Sequence, residues 1–194
     1  MFRLQIGGSA GHDSFVLARK FPDLTFTVQD LPQVAPVFEK MVPEDLRPRI
    51  SFSKHDMFQP QPVQGADIYM LKLIMHDYTD PSAIQILRAQ LPAMKTDSRL
   101  LVIEYIGKGD DVEDDKPAPA AATKSGKEDE GVPRTIRNFG TATDLRMMAL
   151  FNARERAPAA WPKLLKAADE RLEVTKVTAN PMTFFIVVEA VWRG

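Results

Sequence analysis

The chain has 194 residues, is 44% hydrophobic and 26% charged, and carries a formal net charge of -1. That length suits one domain with a substantial core, and the near-neutral balance removes the electrostatic case for nucleic acid or an anionic membrane, so a small neutral partner is expected. The absence of cysteine excludes disulfides, thiolate catalysis and thiolate metal sites. With no apolar run of membrane-spanning length and no basic-then-apolar start, a cytoplasmic protein is expected.

Met1 to Ile6 leans apolar and stops at Gly7-Gly8-Ser9-Ala10-Gly11, after which Phe15 to Ala18 carry a helical pattern as far as Lys20. This is strand, glycine turn, helix. Leu24 to Gln29 alternates as a strand ending at Asp30, and Leu31-Pro32 opens a helix through Val34, Val37, Phe38 and Met41. Two such units in succession argue for a parallel sheet. Ile50 to Ser53 is a third strand leading to His55-Asp56-Met57-Phe58, and Pro60 and Pro62 mark a loop. Ala66 to Ile74 is near-continuously apolar, as a strand buried on both faces should be. It runs into His76-Asp77 and then Asp80-Pro81, with Asp80 expected as N-cap and Pro81 at the first helical position. Ile84, Ile86, Leu87, Leu91 and Met94 give that helix its apolar face, and Leu100 to Ile103 is a fifth strand ending at Glu104.

Residues 108–131 mix charge, Pro, Ala and Ser without periodicity and read as a disordered loop that cannot bury enough surface to offset its ordering entropy. Helical periodicity returns from Arg134 to Phe151 and again at Trp161, Leu164, Leu165 and Ala168. Leu172 to Val177 and Thr183 to Val191 are strands joined at Ala179-Asn180-Pro181, too close for a parallel crossover. The expected architecture is one α/β domain over 1–194: a doubly wound, mostly parallel seven-stranded sheet closed by an antiparallel C-terminal hairpin.

The chemistry gathers at the carboxyl ends of these strands, where open α/β sheets bind ligands. Gly7, Ser9 and Gly11 allow close backbone approach, although an ordinary tight turn has the same look. Asp30, roughly 20 residues on, is placed to hold a ribose or to cap the following helix. Asp56, Met57 and Phe58 either grip an adenine, by an acid, a thioether and a ring, or fill the edge of the core. His76 is the strongest single candidate. Beside Glu104, its imidazole suits a general base near neutral pH, against the alternative of a satisfied core histidine. His12 and His55 fall on other loops and no His-x-x-x-His pattern appears, so no metal is expected.

The runs GGSAGHDSFVLARKFPDLTFTVQDLP, HDMF, LKLIMHDYTD, LLVIEYI and DLRMMALFNARER, in this order over nearly the whole chain, resemble the catalytic domain of class I O-methyltransferases of plant and fungal secondary metabolism. The resemblance implies a Rossmann-like fold, metal-independent use of S-adenosyl-L-methionine, and an aromatic or polyketide-like hydroxyl as acceptor. It also implies that Gly7, Gly8 and Gly11 line the cofactor, that Asp30 holds its ribose and Asp56, Met57 and Phe58 its adenine, and that Lys72 meets its methionine part. His76 would deprotonate the acceptor, oriented by Glu104 and Glu155. Lys72 has a second reading as a charge snorkelling from its strand, and Glu155 as part of a solvated helix end with Arg154 and Arg156.

Three departures accompany the resemblance. The family's acid before the glycine turn is Gln5 here, residues 108–131 are longer and more charged than the usual connection, and the chain starts at the first strand, without the family's N-terminal dimerisation domain. Apolar surface is therefore expected around Arg134 to Phe151, covered by a homodimer partner or a companion chain. The competing function is a non-methylating cyclase, isomerase or binding partner on the same scaffold.

Overall fold

Five strands, β1 (Phe2–Ile6), β2 (Thr25–Asp30), β3 (Ile50–Lys54), β4 (Ile68–Lys72) and β5 (Arg99–Tyr105), pair in parallel in a computed structural model that describes residues 1–107, 134–180 and 182–194. β6 (Leu172–Asn180) and β7 (Phe185–Trp192) pair antiparallel with each other, and β7 pairs antiparallel with β5. The order β3-β2-β1-β4-β5-β7-β6 is the expected seven-stranded, doubly wound arrangement. Its switch point lies between β1 and β4, the place where such sheets open a crevice.

Helices α1 (His12–Lys20) and α2 (Ala35–Met41) send Phe15, Ala18 and Phe38 against Phe26, Val28 and Ile50 of β2 and β3. Helices α3 (Asp80–Gln90) and α5 (Ala160–Ala168) pack Ile86, Leu87, Trp161 and Leu165 against Leu4, Tyr69, Leu71, Val102 and Val188. Helix α4 (Arg134–Phe151) follows residues 108–133, so the loop expected at 108–131 lies outside the described residues. Among the described residues, no helix is long and apolar enough to cross a membrane.

Local structure corrects three expectations. β4 stops at Lys72, two residues short of Ile74, because Leu73 takes a left-handed backbone, φ +54°, which turns the chain out of the sheet. His76 therefore sits on a short 3-10 turn, Met75–Asp77, and not at a strand end. At α3 the capping residue is Thr79, in extended conformation, so that Asp80 is already helical and Pro81 follows at the second position. The helix expected from Leu31-Pro32 is split into a 3-10 turn, Pro32–Val34, and α2.

A buried amide chain ties β2 to α3. The side chains of Gln29 and Gln61 exchange two hydrogen bonds of 2.8 Å, Gln61 Nε2 also donates to Gln90 Oε1 at 2.8 Å, and Gln90 Nε2 donates to the carbonyls of Met57 and Ile86. Such a network stabilises only while every member is satisfied. Gln61→Leu, which strands the amides of Gln29 and Gln90, should destabilise the fold by about 1–3 kcal/mol in urea denaturation; an unchanged midpoint would show that these amides find other partners.

Candidate active site

The turn after β1 depends on its glycines. Gly7 has φ +64°, and a Cβ there would sit 2.4 Å from Ile74 Cδ1. Gly11 has φ +86°, and a Cβ would press on Phe15 and Phe38 at 3.0–3.1 Å. Ser9 is also left-handed, φ +49°, and its N–H donates to Asp30 Oδ2 at 2.8 Å, while the Leu31 N–H donates to Asp30 Oδ1 at 2.8 Å. Asp30 thus braces the glycine turn and caps no helix with its side chain. Each of its oxygens keeps a further lone pair for a ligand.

A cavity of about 390 Å³ opens beside this carboxylate, within the size range of small-molecule sites. Gly7, Asp30, Asp56, Met57 and Phe58 line it, as the sequence places them. His55, Leu31, Ile74 and Tyr78 also line it, and sequence reasoning did not find them. His55 had a visible signal, its adjacency to Asp56; Tyr78 reaches the cavity only through the 3-10 turn and packs edge-on against Phe58 at 5.3 Å. Asp56 Oδ1 accepts the N–H of Phe58 at 3.0 Å, which shapes the loop.

Gly8, Gly11 and Lys72 do not line this cavity. Gly8 donates to the carbonyl of Gln29, and Lys72 pairs with Asp13 of α1, its ammonium 5.8 Å from the centre of the Phe185 ring. Gln5 is buried and accepts a 2.5 Å hydrogen bond from Ser14.

The second half of the site is a buried imidazole between carboxylates. His76 is 7% exposed; Nδ1 lies 3.0 Å from Glu155 Oε1 and 3.8 Å from Glu104 Oε2, and Nε2 lies 3.6 Å from Asp77 Oδ1. Glu104, within β5, accepts the N–H groups of Ile74 and Met75 at 3.0 and 2.7 Å on its other oxygen. Glu155 is buried, beyond the end of α4, and its N–H donates to Asp144 Oδ1 at 2.9 Å. The solvated helix end is thereby corrected: Glu155 and Arg156 are 3% and 2% exposed, because both are drawn inward to the His76 turn.

With Nδ1–H donating to Glu155, the Nε2 lone pair is left to accept a proton. Burial lowers the pKa of His76, but the Glu155 hydrogen bond and the charges of Glu104, Glu155 and Asp77 outweigh it and raise the pKa above its ordinary value. Burial pushes the Glu104 carboxyl up to about 7, against the opposing pull of His76 and two backbone N–H groups. Ligand atoms of His76, Glu104 and Glu155 lie within 4.8 Å of one another, so the imidazole is enclosed by two carboxylates at short range.

This is a cleft at the switch point of a Rossmann-like sheet, with the Asp30 carboxylate in its wall and a carboxylate-held imidazole on the turn between Ile74 and Tyr78. Residues 3–169 match the O-methyltransferase domain model, and the chain belongs to that family. It is 38% identical over 194 residues to O-methyltransferase lcsG of Purpureocillium lilacinum, covering 98% of this chain and 37% of that protein. Among solved structures, it resembles the O-methyltransferase NcsB1 from neocarzinostatin biosynthesis, in complex with S-adenosylmethionine and 2-hydroxy-5-methyl naphthoic acid. That match has TM-score 0.74 and 26% identity, and covers 98% of this chain and 48% of the other. It resembles equally a protein described as a pericyclic reaction enzyme, with TM-score 0.76 and 25% identity over all of this chain and 43% of the other. The chain spans little more than a third of the length of the curated relative.

Folded Glu104, titrating near 7 against an ordinary 4.5, holds a proton that the unfolded chain has lost between those values. Its contribution to stability is therefore full below about 4.5 and is lost as pH rises through about 7. The raised pKa of His76 acts with the same sign. Glu104→Gln, a permanent neutral form, should flatten the fall in melting temperature across this window; a melting series with an unchanged slope would contradict the assignment.

Proposed function

We propose that this chain is the catalytic domain of an S-adenosyl-L-methionine-dependent O-methyltransferase of secondary metabolism, acting on a phenolic or polyketide-type hydroxyl with His76 as general base. The observation that carries the reading is the pairing of an Asp30-braced cleft with an imidazole whose Nδ1 is held by a buried carboxylate.

The residues fit the cofactor's parts. Asp30 has lone pairs free for ribose hydroxyls, and Asp56 Oδ2 has none of its capacity taken by the loop bond made through Oδ1. Gly7 keeps clear the space that a side chain would fill. The Lys72–Asp13 pair lies at the foot of the glycine turn, and an amino-acid zwitterion can replace it charge for charge, carboxylate to Lys72 and ammonium to Asp13. Asp13 then supplies the negative charge that Gln5 lacks. The cofactor, when bound, supplies an electrophilic methyl group on a sulfonium.

A phenol with pKa near 10 is a poor nucleophile until its proton is taken. Nε2 of His76 takes that proton, Glu155 holds Nδ1–H and stabilises the imidazolium, and Glu104 ties the turn to β5 through two backbone N–H groups. An aromatic wall supports a planar acceptor: Tyr105 lies 6.0 Å from His76 and stacks on Phe185 at 5.1 Å and 13°, and Phe139 and Phe184 continue the surface.

A second reading, cyclase or pericyclic chemistry with His76 as acid or base, is favoured by the pericyclic neighbour and by Gln5. His76→Ala separates the two. Methyl transfer should fall by on the order of 10²–10⁴ while S-adenosylmethionine still binds in calorimetry, and Asp30→Ala should weaken that binding. Absence of any heat with the cofactor at millimolar concentration would overturn the methyltransferase reading.

Leu145, Met148 and Phe151, spaced along α4, are 56%, 59% and 45% exposed, the surface expected to meet a second copy or a companion chain. Sedimentation should show self-association at micromolar concentration, weakened by Met148→Glu. A clean monomer would leave only the companion chain.

A further inference from the structure

We propose that Arg156 is a positioning residue for the base: its guanidinium clamps the backbone of the turn on both sides of His76 and so fixes the imidazole against Glu155. The proposal rests on the reading of His76 as the base.

Arg156 Nη1 donates to the Met75 carbonyl at 2.6 Å and Nη2 to the Tyr78 carbonyl at 2.7 Å. Nε donates to Asp80 Oδ1 at 2.9 Å, at the start of α3. Met75 and Tyr78 bracket His76-Asp77, so the planar fork spans the whole turn, which a lysine ammonium cannot do. The cation's carbon lies 5.6 Å from the centre of the Trp161 ring, in the core, and the side chain is 1% exposed. Its own backbone is held as well, since the Arg156 carbonyl accepts the N–H of Gly107 at 3.1 Å. A Cβ on Gly107 would lie 2.2 Å from the Glu155 carbonyl oxygen, so β5's exit and this segment are in close contact.

Glu155 and Arg156 are adjacent in the chain and grip one turn in two ways. Glu155 holds the imidazole; Arg156 holds the backbone that carries it. Loss of the fork frees the two carbonyls that bracket His76. It leaves the 3.0 Å separation of Nδ1 from Glu155 Oε1 to the Glu104 bonds at Ile74 and Met75 and to the Asp144 bond at the Glu155 N–H, none of which holds the far side of the turn. A shift of about 1 Å at such a contact costs on the order of a hundredfold in rate.

The groups facing His76 are Glu104 and Tyr105 on β5, Glu155 beyond α4, and Asp77 on its own turn, with Arg146 of α4 acting on Asp77. A turn that drifts from Glu155 loses the hydrogen bond that favours the protonated imidazole, so His76 titrates lower. Loss of a cation alone has the opposite sign: it favours the protonated ring, and His76 titrates higher.

The test uses Arg156→Lys, which keeps the charge and loses the fork, and Arg156→Met, which loses both while keeping the stem. With three histidines in the chain, His76 can be titrated by NMR independently of turnover. Positioning predicts that both variants lower the His76 midpoint, by about half a pH unit or more. It also predicts that kcat falls on the order of tenfold to a hundredfold while KM for S-adenosylmethionine stays within about twofold. If the lysine variant leaves the midpoint unmoved, or the methionine variant raises it, the role is one of charge and the proposal fails. A fall in melting temperature with an unmoved midpoint makes Arg156 merely structural and also overturns it. Failure of the methyltransferase reading shows separately, as wild-type protein that neither binds S-adenosylmethionine nor transfers a methyl group.

Discussion

Two carboxylates and an imidazole, all buried, meet around His76, and the placement of the surrounding elements follows from keeping that cluster tolerable. An unpaired buried charge is costly, and hydrogen bonds and opposite charge offset part of that cost. Glu104 meets two backbone N–H groups and Glu155 meets Nδ1, yet one oxygen of each acid has no hydrogen-bond partner. Burial drives the Glu104 carboxyl upward, and the Glu155 hydrogen bond with the charges of Glu104, Glu155 and Asp77 makes the imidazole a stronger base than burial alone would allow.

The site is assembled from two halves with different physical demands. The cleft at the ends of β1, β2 and β3 needs backbone close to a ligand, and it uses Gly7 and a left-handed Ser9 tied to Asp30. The His76 imidazole is held on a turn beyond β4, shaped by a left-handed Leu73, a 3-10 turn and two backbone bonds to Glu104. Ile74 belongs to both: it lines the cleft, touches the space above Gly7 and donates to Glu104. The cleft is thereby held in fixed relation to the turn that carries His76.

The parallel strands were legible because β4 and its neighbours are continuous apolar runs bounded by turn residues, and counting placed Asp30 at the end of β2 and Asp56 and His76 in the segments that follow β3 and β4. What periodicity could not show was where β4 stops. Leu73 is an ordinary strand former, and only tertiary contacts hold it at φ +54°. The same blindness hid Tyr78, and it hid Arg156, whose sequence context of alternating charge reads as solvated surface until Asp80 and two carbonyls are brought to it from more than 70 residues away. The amide chain of Gln29, Gln61 and Gln90 was illegible for a similar reason: glutamine is usually exposed, and only the packing of α3 against the β3–β4 connection buries all three.

The outer and inner faces of α4 are one problem. Its outer face presents Leu145, Met148 and Phe151, while Asp144, one residue away, accepts the N–H of Glu155 and so helps to set the acid bonded to His76. A helix with an uncovered apolar stripe has less packing to hold it than one seated between layers, and regions with few buried contacts open locally at low free energy. Opening at α4 displaces Asp144, and with it the Glu155 backbone, before the sheet is disturbed. A partner seated on the stripe would therefore stabilise the charge placement around His76 without touching it.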